Sequence, residues 1–97
     1  MKVIILQRAW ELKFGNPGKG FEGHCDHPEQ KQKKIIIDKK LTGKAELECI
    51  VHEIDHARDW AKDEEFITAG AKDLTEILWK LGYRRLNKEQ MKILDLS

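Results

Sequence analysis

At Lys44 the spacing of apolar residues changes to that of a helix, with Leu47, Ile50, Val51 and Ile54 at i, i+3, i+4 and i+7 and Thr42 placed to cap the start. That switch divides the chain. Upstream, Val3 to Leu6 is a short β-branched run suited to a buried strand, and Trp10 to Phe14 continues it or pairs with it. Asn16-Pro17-Gly18-Lys19-Gly20 is a turn or mobile loop, and Phe21 to Lys34 has no helical period, so it reads as loop leading into a second strand, Ile35 to Ile37. Downstream, the first helix should end between Arg58 and Lys62. Ile67, Ala71, Leu74, Leu78 and Leu81 then mark a second helix that Gly82 stops, and Lys88 to Leu96 predicts a brief third. Ninety-seven residues supply one modest core and not two. The expected fold class is therefore α+β: a single domain, residues 1–97, in which a small N-terminal β-sheet precedes a motif helix and a second helix packed on it.

The motif on the first helix is His52-Glu53-Ile54-Asp55-His56. Residues four apart on a helix share a face one turn apart, so two imidazole nitrogens can reach one cation at about 2.0–2.1 Å. The apolar stripe points one way while Ala45, Cys49, His52 and His56 share the opposite side, which keeps the histidines out of the core stripe. Glu53 is expected beside them on the same open side, as a general base that takes a proton from water at the cation.

A catalytic zinc site wants a third protein ligand. The chain after His56 returns carboxylates at Asp63, Glu64 and Glu65, where the second helix begins, and either Glu64 or Glu65 can reach inward if the two helices pack as a hairpin. Helical periodicity favours Glu64. The competing explanation for these acids is their favourable position at a helix N-terminus.

Ile50 to Arg84, with HExxHAxxW, an acidic DEE cluster and LWxLGY, resembles the core of small, often phage-encoded zinc metallopeptidases similar in design to the minimal gluzincins. The resemblance implies a zincin-like fold, Zn²⁺ held by two His and a downstream Glu, and hydrolysis of peptide bonds with Glu53 as base. Its ligand spacing selects Glu65, with Glu64 kept beside it as the alternative. It also implies that the strand Ile35 to Ile37 is the edge on which an extended peptide pairs. The ExxxD of thermolysin-like ligand helices is absent, because Thr68 and Ala69 stand four residues after Glu64 and Glu65. Asp59 and Asp73 are left as the candidates to hold a histidine ring N–H.

Other polar groups are weaker signals. His24, Cys25 and His27 form a tight group but lack the paired spacing of a structural zinc site. Tyr83 is a candidate hydrogen-bond donor to an oxyanion. Lys31, Lys33, Lys34, Lys39, Lys40 and Lys44 crowd one stretch without interleaved aromatics to stack on bases, which favours a solvated surface over a nucleic-acid partner, and the partner expected from the metallopeptidase resemblance is a peptide or protein substrate. Two cysteines make no disulfide scaffold, and no apolar run is long enough for a signal peptide or a membrane span, so a cytoplasmic protein is expected. The alternative to a metallopeptidase is a non-catalytic zinc-binding domain that mediates protein or nucleic-acid interaction. Composition is silent on oligomeric state.

Overall fold

A computed structural model describes residues 1–96. They form a small α+β domain with a four-stranded sheet and three helices: β1 (Lys2–Ile5), β2 (Arg8–Gly15), β3 (Gly23–Cys25), β4 (Lys34–Asp38), α1 (Gly43–Arg58), α2 (Glu64–Lys80) and α3 (Lys88–Ile93). The sheet order is β1-β2-β4-β3. β1 and β2 make an antiparallel hairpin, β2 and β4 run parallel, and β3 returns antiparallel on the far side of β4.

Alternation decides which side of this sheet is covered. Trp10 and Leu12 of β2 and Ile35 and Ile37 of β4 are buried on one face, with Val3, Ile5 and Phe14 packed around them, while Glu11 and Lys13 point to solvent. The helix α1 lies on the buried face and α2 packs on α1. Ile67, Ala71 and Thr75 are the buried line of α2, at the i, i+4, i+8 spacing of one helical face. Its start is fixed by Asp63, whose side chain accepts the Phe66 N–H at 2.8 Å, and its end by Gly82 at φ +94°. No described helix is long and apolar enough to cross a membrane.

Two features differ from the sequence expectation. The stretch read as loop between Phe21 and Lys34 contains β3, so Ile35 to Ile37 is an interior strand hydrogen-bonded on both sides and not an edge. The edge on this side of the sheet is β3, Gly23–Cys25, and β1 is the opposite edge. The second difference is the orientation of α1. Its buried line is Cys49, Glu53 and Ala57, while Leu47, Ile50, Val51 and Ile54 are only half-buried. The helix is covered by the sheet on one side and α2 on another, so its large apolar residues are shared between two partners. Cys49 and Ala57 join the buried cluster of the sheet, with Ile50 and Ile54 packed against it.

Candidate metal centre

The β3 edge, α1 and the start of α2 enclose an open cleft of about 710 Å³. Gly20 to Cys25 form one wall, Glu48, Cys49, His52, Glu53 and His56 the floor, and Trp60, Lys62 and Glu64 the other end. His52 and His56 sit one helical turn apart and are largely covered, with their side chains 22% and 17% exposed. Their Nε2 atoms lie 3.1 Å from each other. The Glu64 carboxylate closes the triangle, one oxygen 2.9 Å from His52 Nε2 and the other 2.8 Å from His56 Nε2.

These three contacts cannot all be hydrogen bonds. Each needs one donor and one acceptor, and a neutral imidazole nitrogen is one or the other. If both Nε2 atoms donate to Glu64 they oppose each other, and if one accepts, its lone pair faces a carboxylate oxygen. One cation at the centre satisfies all three. Ligands at about 2.0–2.1 Å in a tetrahedral site stand about 3.3 Å apart, close to the separations found here. Among the described residues, His52, His56 and Glu64 are the group able to hold a metal ion.

Of the two glutamates proposed as third ligand, Glu64 is the one brought to the histidines; Glu65 is exposed on the next face of α2. The reason is helical phase. At 100° per residue, Glu64 lies about 20° from the centre of the Ile67–Ala71–Thr75 face and Glu65 about 120° from it.

Glu53 is not on the open side with the histidines. It is 7% exposed and turned toward β3, although its carboxyl still lines the cleft. Burial raises its pKa above the ordinary carboxylate value; the nearby His52 and His56 oppose that shift, and Glu64 adds to it. No hydrogen bond holds the carboxylate among the described residues. What locates it is packing. A Cβ on Gly23 would lie 2.6 Å from Glu53 Oε2 and 2.7 Å from Cys49 Sγ, so the strand approaches the helix at a distance only glycine permits. Gly23→Ala is accordingly expected to destabilise the fold by about 1–3 kcal/mol, as overpacking does. Gly70, where an added Cβ meets nothing within 4 Å, is the contrasting site. Gly70→Ala should stabilise by up to about 1 kcal/mol through helix propensity. Urea denaturation of the two variants measures the opposite signs.

The remaining candidates do not join the triangle, although His24 and Cys25 line the cleft wall. Asp59 ends α1, its N–H bonded to the Asp55 carbonyl, and Asp73 is exposed on α2 about 13 Å along the axis from Glu64. Neither reaches a histidine ring, because one belongs to the helix end and the other to a solvent face. Tyr83 is 63% exposed and lines a separate groove with Leu47, Ile50, Leu78 and Trp79, outside the cleft. His24, Cys25 and His27 diverge because neighbours on a strand point to opposite sides. His24 bonds Asp26 at 2.7 Å, Cys25 is buried, and the His27 ring meets Trp60 at 4.9 Å. Burial and then the charge of Glu53 push the Cys25 thiol up to about 12, so it is a poor metal ligand at neutral pH.

No family model, curated protein or solved structure matches this chain. What the site can do follows from its donors. Two imidazoles and a carboxylate form a mixed nitrogen and oxygen set of the kind that suits a borderline divalent cation. Glu22, Gly23, Glu48 and Lys62 are cleft residues that sequence reasoning did not single out. Glu48 was within reach of it, standing four residues before His52 on the same helical face. Glu22, Gly23 and Lys62 carry no such signal.

Proposed function

We propose that this chain is a zinc-dependent, zincin-like metallopeptidase that hydrolyses peptide bonds in a peptide or protein substrate. The observation that carries the reading is the triangle of His52 Nε2, His56 Nε2 and a Glu64 oxygen, all within 4.8 Å of one another, in the same cleft as the buried carboxyl of Glu53. Three protein ligands leave a tetrahedral ion one open position. Zinc bound there supplies the positive charge that polarises a substrate carbonyl and makes water more acidic.

The chain's own residues do the rest. His52 and His56 offer Nε2 lone pairs, which places their ring protons on Nδ1, and Glu64 offers a carboxylate oxygen. Glu53, whose carboxyl lines the cleft and meets no hydrogen-bond donor among the described residues, takes a proton from the attacking water and returns it to the departing amine. The β3 edge at Gly23–Cys25 presents unpaired backbone groups along the cleft, on which an extended substrate can add as a further strand. Two free, buried cysteines suit a reducing, cytoplasmic compartment.

The test is metal content together with cleavage. Protein prepared without added metal and titrated with Zn²⁺ should bind one equivalent and cleave a quenched-fluorescence peptide library. A chelator should abolish cleavage, and zinc should restore it. Zinc at a thousandfold over its dissociation constant should stabilise the fold by about 4 kcal/mol. Failure to bind zinc would overturn the proposal. Zinc binding without cleavage would replace it with the non-catalytic zinc domain.

A further inference from the structure

The helix α2 carries two apolar lines. One, Ile67–Ala71–Thr75, is buried against α1. The other is turned about 90° from it around the helix and consists of Gly70, Leu74, Ile77 and the cap residue Leu81. Its three large side chains are 43%, 56% and 69% exposed in that order, and Phe66, 61% exposed, borders the line at the start of the helix. Positions 70, 74, 77 and 81 are spaced by four, three and four residues, the seam by which one helix packs along another. The chain beyond α2 lies on the far side: Tyr83, Leu86 and Met91 line a groove with Trp79, which stands about 170° around α2 from the seam.

Size and charge along this seam both identify its occupant. With α2 of a second copy laid antiparallel, Leu74 opposite Ile77 is the register that alternates the two kinds of seam position, and it sets Gly70 opposite Leu81. Gly70 is a notch, since an added Cβ would meet nothing within 4 Å, and Leu81 is the most exposed side chain of the line. The charges select the same arrangement independently. Asp73 and Lys80 stand seven residues apart on one flank of the seam, both exposed, and Glu76, the acid one turn before Lys80, is taken by Lys44. A two-fold axis across antiparallel helices brings like flanks together, so Asp73 of each copy faces Lys80 of the other. Parallel helices would set this flank against Ala71 and Leu78, which offer no charge.

We infer that two copies of this chain associate through α2, antiparallel about a two-fold axis, with Leu81 of each seated over Gly70 of the other and two Asp73–Lys80 ion pairs beside the seam. Four large side chains about half exposed supply roughly 400 Å² of apolar surface per copy. With the charged flank, the two copies together bury about 1,000 Å², the low end for a specific interface, so the dimer is reversible. Glu64 lies about 110° around the helix from the seam, so the metal triangle faces another way and the association stands apart from the peptidase reading.

Sedimentation equilibrium of the full chain tests it. From about 5 µM to about 500 µM, the average mass should rise from one chain toward two, as a weak interface of this size requires. Ile77→Glu with Leu81→Glu should hold the mass at one chain over the same range while far-UV circular dichroism stays native, because both positions face solvent. Gly70→Leu adds apolar surface yet fills the notch, so it should weaken the dimer by at least about tenfold. Asp73→Lys alone, or Lys80→Glu alone, turns both ion pairs into repulsions and should weaken association about tenfold at low salt. An equimolar mixture of these two single variants, and the chain carrying both, should recover the native affinity, a result that a misfolded chain does not give. A single-chain mass at the highest concentration overturns the dimer, as does association that survives Ile77→Glu with Leu81→Glu. Association strengthened by Gly70→Leu, or indifferent to the single charge variants, overturns the antiparallel seam.

Discussion

Glu53→Gln is expected to keep one full equivalent of zinc and to lose peptide turnover by about 10²–10⁴-fold, the range ascribed to a positioned general base. Metal is retained because the three converging donors are His52, His56 and Glu64, and Glu53 is turned to the opposite wall beside Gly23. Turnover falls because an amide of the same shape cannot accept the water proton. Stability should change in the opposite sense from activity. Burial raises the Glu53 pKa in the folded chain, so this residue's contribution is fully present below the unfolded carboxylate pKa and is lost as pH rises through the folded value. Metal-free native protein should therefore fall behind the metal-free variant in Tm as pH climbs above the ordinary carboxylate range. A purely structural metal site would give no activity difference to measure, and a variant that lost zinc would place Glu53 among the ligands.

Much of this fold is legible in the chain. β1, β2 and β4 show β-branched runs or alternation, as at Trp10, Leu12 and Phe14, and helical spacing runs for about two turns in α1, Leu47 to Ile54, and about four in α2, from Ile67. β3 is invisible because Gly23-His24-Cys25 is three residues long, with no period to detect; it is a strand only because β4 offers an edge. The orientation of α1 is hidden from the sequence for a related reason. A helical wheel points to the large apolar residues, whereas a helix held between a sheet and another helix can turn its smallest residues to the closest neighbour. Cys49 and Ala57 are such residues, and Glu53 is carried inward with them.

The site divides the same way. Two histidines four residues apart are fixed by α1 itself and need no tertiary information. Glu64 depends on where α2 begins, and the Asp63 cap sets that phase. Helical periodicity pointed to Glu64, and the spacing borrowed from resembling proteins pointed to Glu65. The phase of Ile67, Ala71 and Thr75 decides between them, since burying these three swings Glu64 toward α1. Glu22 and Gly23 enter the cleft through a strand that local sequence does not announce.

Glu64→Ala should weaken zinc binding by at least about a hundredfold, beyond the ten- to hundredfold typical of residues that only orient a ligand, while Glu65→Ala leaves the affinity close to native. The pair controls for everything except coordination. Both acids occupy the first turn of α2, so each removal costs the same few tenths of a kcal/mol of helix-terminus electrostatics. In the absence of zinc, the contacts of Glu64 with His52 and His56 are made by a side chain 67% exposed. Such pairs contribute no more than about 1 kcal/mol, so metal-free Glu64→Ala protein should melt near the native temperature. Its deficit should appear only on adding metal, as a smaller zinc-induced rise in Tm and a zinc titration shifted to higher concentration. If Glu65→Ala instead carries the loss, α2 must start in a different phase from the one Asp63 sets, and the triangle built on Glu64 would have to be abandoned.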